Sequence, residues 1–183
     1  MRLTQKISLQ RKKIMKDMIR NIPDFPKSGI VFKDIFPLLQ HSFGEVIDDL
    51  SRKIERPNEI DYIVGIESRG FIFAAALAYK LNKGFVPIRK KGKLPPPTFG
   101  ETVFMEYGET QIEMALGDIG SIKHTKIVLI DDVIATGETL RRAWTLCFRC
   151  GYFPQQAIAL VNIKKANIGK FNFPVKYLFE YKE

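Results

Sequence analysis

Ile127-Val128-Leu129-Ile130-Asp131-Asp132-Val133-Ile134-Ala135-Thr136-Gly137-Glu138-Thr139-Leu140 is the most informative stretch of this chain. Its apolar, mostly β-branched opening reads as a buried strand of a parallel sheet. Two adjacent carboxylates end the run, a turn of Ala135 to Thr139 follows, and a helical pattern begins at Leu140. That order presents acids at the carboxyl end of a strand and unpaired N–H groups at the start of a helix, the edge where open α/β sheets bind ligands. A helix N-terminus carrying a glycine and hydroxyls suits an anion. Acids beside an anion cradle suit a ligand that also carries hydroxyls or a divalent cation, such as a phosphorylated sugar. Either piece alone has a plain alternative, since Asp-Asp often makes a turn and Thr-Gly often caps a helix. Neither G-x-x-x-x-G-K-[ST] nor G-x-G-x-x-G occurs.

Outward from that stretch, strands and helices alternate. Residues 61–66 read as a strand, 70–82 as a helix, 85–88 as a strand, and 157–163 and 175–181 as further strands. The helix after the turn runs to about Cys150. This succession implies an α/β fold, a central, mostly parallel sheet flanked by helices. Residues 8–21 look helical, with Ile14, Met18 and Ile19 on one side. Residues 89–110 break the rhythm with a basic cluster, three prolines from Pro95 to Pro97, and glycines. A long segment without periodicity inside a compact domain is usually functional or disordered, so a flexible lid is expected there.

The 183 residues, 45% of them apolar, suit one soluble domain with a sizeable core. No apolar run reaches bilayer length and no secretory leader stands at the start, so a cytoplasmic protein is expected, with no membrane partner. The net charge of +9 is concentrated at Arg11, Lys12, Lys13, Lys16 and Arg20. It reads either as a solvated helix face or as a field drawing in polyanions. No aromatic-basic module accompanies it, and no nucleic-acid partner is expected. Cys147 and Cys150 fall late in a helix, which fits two reduced thiols better than a redox or zinc pair.

The segment from Ile127 to Leu140 resembles the sugar-diphosphate motif of the type I phosphoribosyltransferases. Three further blocks, in that family's order, resemble its adenine-specific branch. They are Ile22-Pro23-Asp24-Phe25-Pro26 with Gly29 to Ile35, then Glu67-Ser68-Arg69-Gly70-Phe71, then Arg89 to Pro95 with Met105-Glu106-Tyr107-Gly108. The resemblance covers the chain from about Ile22 onward. It implies the type I fold over residues 1–183, with an N-terminal helix and small hood over residues 1–35. The implied reaction joins adenine to phosphoribosyl pyrophosphate, giving AMP and pyrophosphate.

What the resemblance implies for single residues is specific. Ala135, Thr136, Gly137, Glu138 and Thr139 would seat the 5-phosphate, and Asp131 and Asp132 the ring hydroxyls, helping to hold Mg²⁺ largely through substrate and water. Ser68 and Arg69 would clamp pyrophosphate with Arg89, Lys90 and Lys93. Val31, Phe32 and Lys33 would hold adenine, mainly through the main chain, and Glu106 would act as general acid/base. A homodimer is also implied. Lys33 stands where the family commonly has arginine, and Glu138 and Pro96 where it has glycine. Two other readings are the same chemistry on another purine, or a non-catalytic sensor of phosphoribosyl pyrophosphate that binds nucleic acid. The sensor would need a DNA-binding module that the residues before Ile22 are too few to supply.

Overall fold

The structure, a computed structural model, describes residues 3–105, 108–115, 125–167 and 169–182. Its internal packing divides the chain into Met1–Asp48 and Asp49–Glu183. The expected residues Glu106 and Tyr107 lie outside the described residues.

The first unit holds α1 (Leu3–Asp17), β1 (Arg20–Ile22), β2 (Phe32–Asp34) and most of α2 (Phe36–Ser51). The helix expected over residues 8–21 therefore stops at Asp17. Residues 20–22 instead pair antiparallel with residues 32–34, Arg20 opposite Asp34 and Asn21 opposite Lys33. Polar side chains brace this ribbon across its strands. Arg20 donates to Asp34 Oδ2 from Nε at 3.0 Å and Nη2 at 2.5 Å, and the Lys33 ammonium donates to Asn21 Oδ1 at 2.7 Å. Of the expected apolar side, Ile19 is buried and Met18 partly so, just beyond α1, whereas Ile14 is exposed and Met15 is buried in its place. The helix α2, not among the elements expected from sequence, buries Leu38, Val46, Ile47 and Leu50.

The second unit follows the expected alternation. It contains β3 (Tyr62–Ile66), α3 (Gly70–Leu81), β4 (Gly84–Lys90), β5 (Thr98–Met105), β6 (Gly108–Ala115), β7 (Thr125–Ile134), α4 (Glu138–Arg149), β8 (Tyr152–Ile163) and β9 (Val175–Tyr181). Among the described residues these strands form one seven-stranded sheet in the order β5-β6-β4-β3-β7-β8-β9. Pairing is parallel from β4 through β9, and β5 and β6 join antiparallel at one edge. Gly70, Phe73, Ala74, Leu77 and Ala78 are the buried residues of α3, the spacing of a helix laid on a sheet. Ile127 to Ile130 on β7 are fully buried, as a strand covered on both faces requires.

Residues 89–110 are expected to lack regular structure, yet most of those described lie in strands. Here β5 and β6 form a hairpin in register from Thr98 opposite Ala115 to Met105 opposite Gly108. Val103, Ile112 and Met114 enter the same core cluster as Leu140 and Leu146. Arg149 of α4 pairs with Glu101 and lies 5.4 Å over the Phe99 ring. The three prolines precede β5 rather than interrupt it, while threonines, glutamates and a glycine mask its period of two.

Cys147 lies in α4 and Cys150 caps it, both free and buried. Burial pushes the Cys147 thiol well up and the Cys150 thiol to about 11. Both therefore stay protonated at neutral pH, as two reduced helical thiols should.

Candidate active site

The parallel strands β3 and β7 are neighbours, and the connections leaving their carboxyl ends carry the candidate site residues. From β3 the chain passes through Glu67, Ser68 and Arg69 into α3. From β7 it passes through Ala135, Thr136 and Gly137 into α4. The expected strand end falls earlier than the observed one, because β7 continues through the acids, Asp131 opposite Ala159 and Ile134 opposite Asn162. Asp131 and Asp132 are thus held on a buried strand rather than in a turn.

Arg69, the residue capping the start of α3, reaches across, its Nη2 lying 2.8 Å from Asp132 Oδ2. The amide of Asp132 donates to Asp131 Oδ1 at 2.9 Å. Burial, and next the neighbouring Asp132 carboxylate, push the Asp131 carboxyl well above the usual carboxylate range. Burial raises Asp132 too, against the pull of Arg69. Two buried like charges with one arginine make an electron-rich corner suited to hydroxyl donors or a cation. Gly70 permits this closeness. A Cβ there would lie 2.8 Å from the Ile130 carbonyl oxygen and 3.3 Å from Asp131 Oδ1.

Gly137 caps α4 at φ +83°, a conformation that glycine adopts without strain. The Thr136 hydroxyl accepts from the Glu138 amide at 3.3 Å, and the first amides of α4 face away from any intrahelical acceptor. Glu138 does not fold back onto this turn. Its carboxylate takes a 2.7 Å ion pair with Arg142 one helical turn on, a spacing readable from sequence. Arg141 binds the turn to the connection after β8. It donates to the Thr136 carbonyl at 3.0 Å, Asn167 Oδ1 at 3.3 Å and the Gly169 carbonyl at 3.1 Å, and it lies 4.5 Å from the Phe171 ring centroid. Nothing in the local sequence announces those long-range partners.

The basic cluster divides. Arg89 is half-buried and engaged, 3.3 Å from Glu67 Oε2 and 3.1 Å from the Lys93 carbonyl. The Lys90 amide donates to Glu67 at 2.7 Å. Burial alone would raise the Glu67 carboxyl, but the Lys90 amide and Arg89 outweigh it and hold it low. The side chains of Lys90 and Lys93 are exposed. The resemblance implies no role for Glu67, yet its carboxylate joins the loop after β3 to the basic segment after β4.

Val31, Phe32 and Lys33 belong to the first unit. Val31 is exposed and Lys33 buried, while the Phe32 ring meets Phe25 edge-on at 5.1 Å. The structure thus gathers Arg69, Asp131 and Asp132 in direct contact or sequence, with the Thr136–Thr139 turn following on the same strand connection.

A model of the phosphoribosyl transferase domain matches residues 38–166. An adenine phosphoribosyltransferase of Wolinella succinogenes is 48% identical over 157 residues, which are 85% of this chain and 86% of that protein. The chain belongs to the adenine phosphoribosyltransferase family. The crystal structure of the Thermoanaerobacter pseudethanolicus adenine phosphoribosyltransferase superposes with a TM-score of 0.85 at 35% identity, covering 93% of this chain and 99% of that one. The Saccharomyces cerevisiae enzyme, solved with an imino-altritol bisphosphate and adenine, gives 0.80 at 31% identity, over 93% and 99%. Membership in the adenine phosphoribosyltransferase family makes the chain a glycosyltransferase. It moves a 5-phosphoribosyl group from phosphoribosyl pyrophosphate to adenine, and AMP and pyrophosphate are the products.

Proposed function

We propose that the corner between β3 and β7 carries out this transfer with a division of labour among its residues. The observation that carries the reading is the contact of Arg69 with Asp132, on the strand that leads directly into the Thr136–Thr139 turn. The 5-phosphate would rest on the turn from Ala135 to Thr139, on amides, the two threonine hydroxyls and the N-terminal end of α4. Asp131 and Asp132 would accept hydrogen bonds from the two ring hydroxyls. Pyrophosphate would meet Ser68, Arg69, Lys90 and Lys93, with Arg89 supporting from its bond to Glu67. The bisphosphate and adenine held by the yeast relative have the chemistry of the substrates this arrangement suits.

The residues present also fit Mg²⁺. Two adjacent buried carboxylates, whose Asp132 Oδ2 has the Arg69 guanidinium 2.8 Å away but no aligned hydrogen bond, match an ion that takes few carboxylates and completes its shell with substrate oxygens and water. Bound there, the ion would neutralise charge on the departing pyrophosphate. Arg69 and the two lysines would stabilise the same charge, and the aspartates would oppose the positive charge developing on the sugar. Val31, Phe32 and Lys33 would take the base, and Glu106 would exchange a proton with it. The protein is proposed to work as a homodimer in the cytoplasm. No helix among the described residues is long and apolar enough to cross a membrane.

Product analysis with adenine, hypoxanthine and guanine, each with donor and Mg²⁺, tests the assignment. AMP should dominate, and equal use of hypoxanthine would overturn the choice of base. Glu106→Gln should slow turnover about 10²-fold while leaving donor affinity near its original value. Unimpaired turnover in that variant removes the acid/base role.

The Glu138–Arg142 pair gives a separate test of the phosphate seat. Freed from Arg142, the carboxylate would sit beside the cradle and repel the phosphate. Arg142→Ala should raise the donor KM about two- to fivefold, the scale of a partly exposed pair. Adding Glu138→Gly should return it to the starting value. A double variant as impaired as Arg142→Ala would show that the carboxylate does not face the phosphate.

A further inference from the structure

We infer that Glu113 is a positioning residue for the basic segment that meets the donor's pyrophosphate, an inference that rests on the proposed role of Lys90 and Lys93. Glu113 lies on β6, opposite Arg89 on β4 and Gly100 on β5. It is 6% exposed, the setting in which a carboxylate is costly unless its oxygens are satisfied. They are satisfied by the turn Gly92–Leu94 and by the first residue of β5. Oε1 accepts from the amides of Gly92 at 2.9 Å, Lys93 at 3.1 Å and Leu94 at 3.2 Å, and Oε2 from the Thr98 hydroxyl at 3.3 Å.

Gly92 at φ +79° lets these successive amides converge. Convergent backbone amides are the arrangement that captures external anions. Here the chain supplies the anion itself, so the turn has its shape before any ligand arrives. The same turn offers the Lys93 carbonyl to Arg89, and Arg89 pairs with Glu67, the residue before Ser68 and Arg69. A continuous path therefore runs from Glu113 through Lys93 and Arg89 to Glu67. It sets one cation-bearing segment against the other. A carboxylate near a pyrophosphate site would be unfavourable if its charge were bare; bonded to amides, it orients the segment with its charge already spread.

Steady-state kinetics of Glu113→Ala, Glu113→Gln and Lys93→Ala, with pyrophosphate inhibition and thermal melts, test this. Glu113→Ala should raise the donor KM and the pyrophosphate inhibition constant about tenfold, with the adenine KM nearly unchanged. Glu113→Gln keeps an acceptor at Oε1 and should stay within about threefold of the original enzyme. A folded Glu113→Ala with unchanged donor KM and pyrophosphate inhibition overturns the inference. So does an equal rise in both substrates' KM, or a Glu113→Gln as impaired as the alanine variant. If Glu113→Ala does not fold, Glu113→Asp takes its place, because its carboxylate is one methylene short of the amides, and the same pattern decides. Lys93→Ala separates the two levels. If it leaves pyrophosphate inhibition unchanged, the reading of Lys93 fails whatever Glu113 does; if it weakens inhibition while Glu113→Ala does not, only the positioning role fails.

Discussion

Asp131→Asn is expected to lower kcat/KM for the donor on the order of 100-fold while raising the melting temperature of the ligand-free protein. The two effects share a cause. Asp131 is buried beside Asp132, with Arg69 as the neighbouring cation, and burial together with the like charge lifts its carboxyl well above the usual range. Asparagine keeps the shape and an acceptor for the Asp132 amide, but it removes one of two crowded charges. About 1 kcal/mol of relief would appear as a rise of roughly 2–4 °C in a chain of this size. The direction with pH follows from the same shift. A carboxyl raised in the folded state holds its proton there longer than in the unfolded chain. Its contribution is therefore most favourable at acid pH and is lost as pH climbs from the unfolded carboxylate range through the raised folded value. Melts from pH 4 to 8 with chelator present should show the original protein losing ground to Asp131→Asn as pH rises. Parallel curves would mean that the pair is not strained by charge.

Gly70→Ala should be strongly damaging, because the methyl group would meet backbone of the neighbouring strand. Its Cβ would sit 2.8 Å from the Ile130 carbonyl oxygen and 3.3 Å from both Asp131 Cα and Asp131 Oδ1. Two of those neighbours are backbone of a fully buried strand, so neither moves cheaply. Relieving the overlap must push the start of α3 from β7, and Arg69 moves with it. Such overpacking costs about 1–3 kcal/mol, with roughly 2–4 °C in melting temperature for each. Activity should fall at least about tenfold, because the 2.8 Å contact of Arg69 with Asp132 is lost with the spacing. Gly44→Ala is the control. A Cβ at Gly44 meets nothing within 4 Å, and its helix should be unchanged or slightly stabilised. Equal melting temperatures for the two variants would sink the claim that Gly70 sets the approach of α3 to the acids.

Much of the second unit was readable because its signals are local. The β7 run, the period of α3 and the acids before the Thr136–Thr139 turn each depend on neighbours in sequence, and they appear where expected. The hairpin β5–β6 was not readable, since its alternation is diluted by polar residues and its burial comes from distant α4. The end of α1 was missed for a similar reason. Residues 20–22 have no strong preference of their own, and their pairing with residues 32–34 decides. Glu138 lies between these cases: its i,i+4 partner Arg142 could be counted out, although the direction of the side chain could not.

The amino-acid order by itself specifies a parallel α/β sheet, the chemistry at the end of β7 and the family of transferases to which that chemistry belongs. It does so because strand burial, helix period and turn composition are short-range properties. Only the folded chain shows that Glu67 and Glu113 hold the basic segment, that Arg141 ties the turn to the connection after β8, and that Arg69 reaches Asp132. Those contacts join residues far apart in the chain. A buried carboxylate or guanidinium must find partners wherever the packing brings them, and no local pattern records which ones it will be.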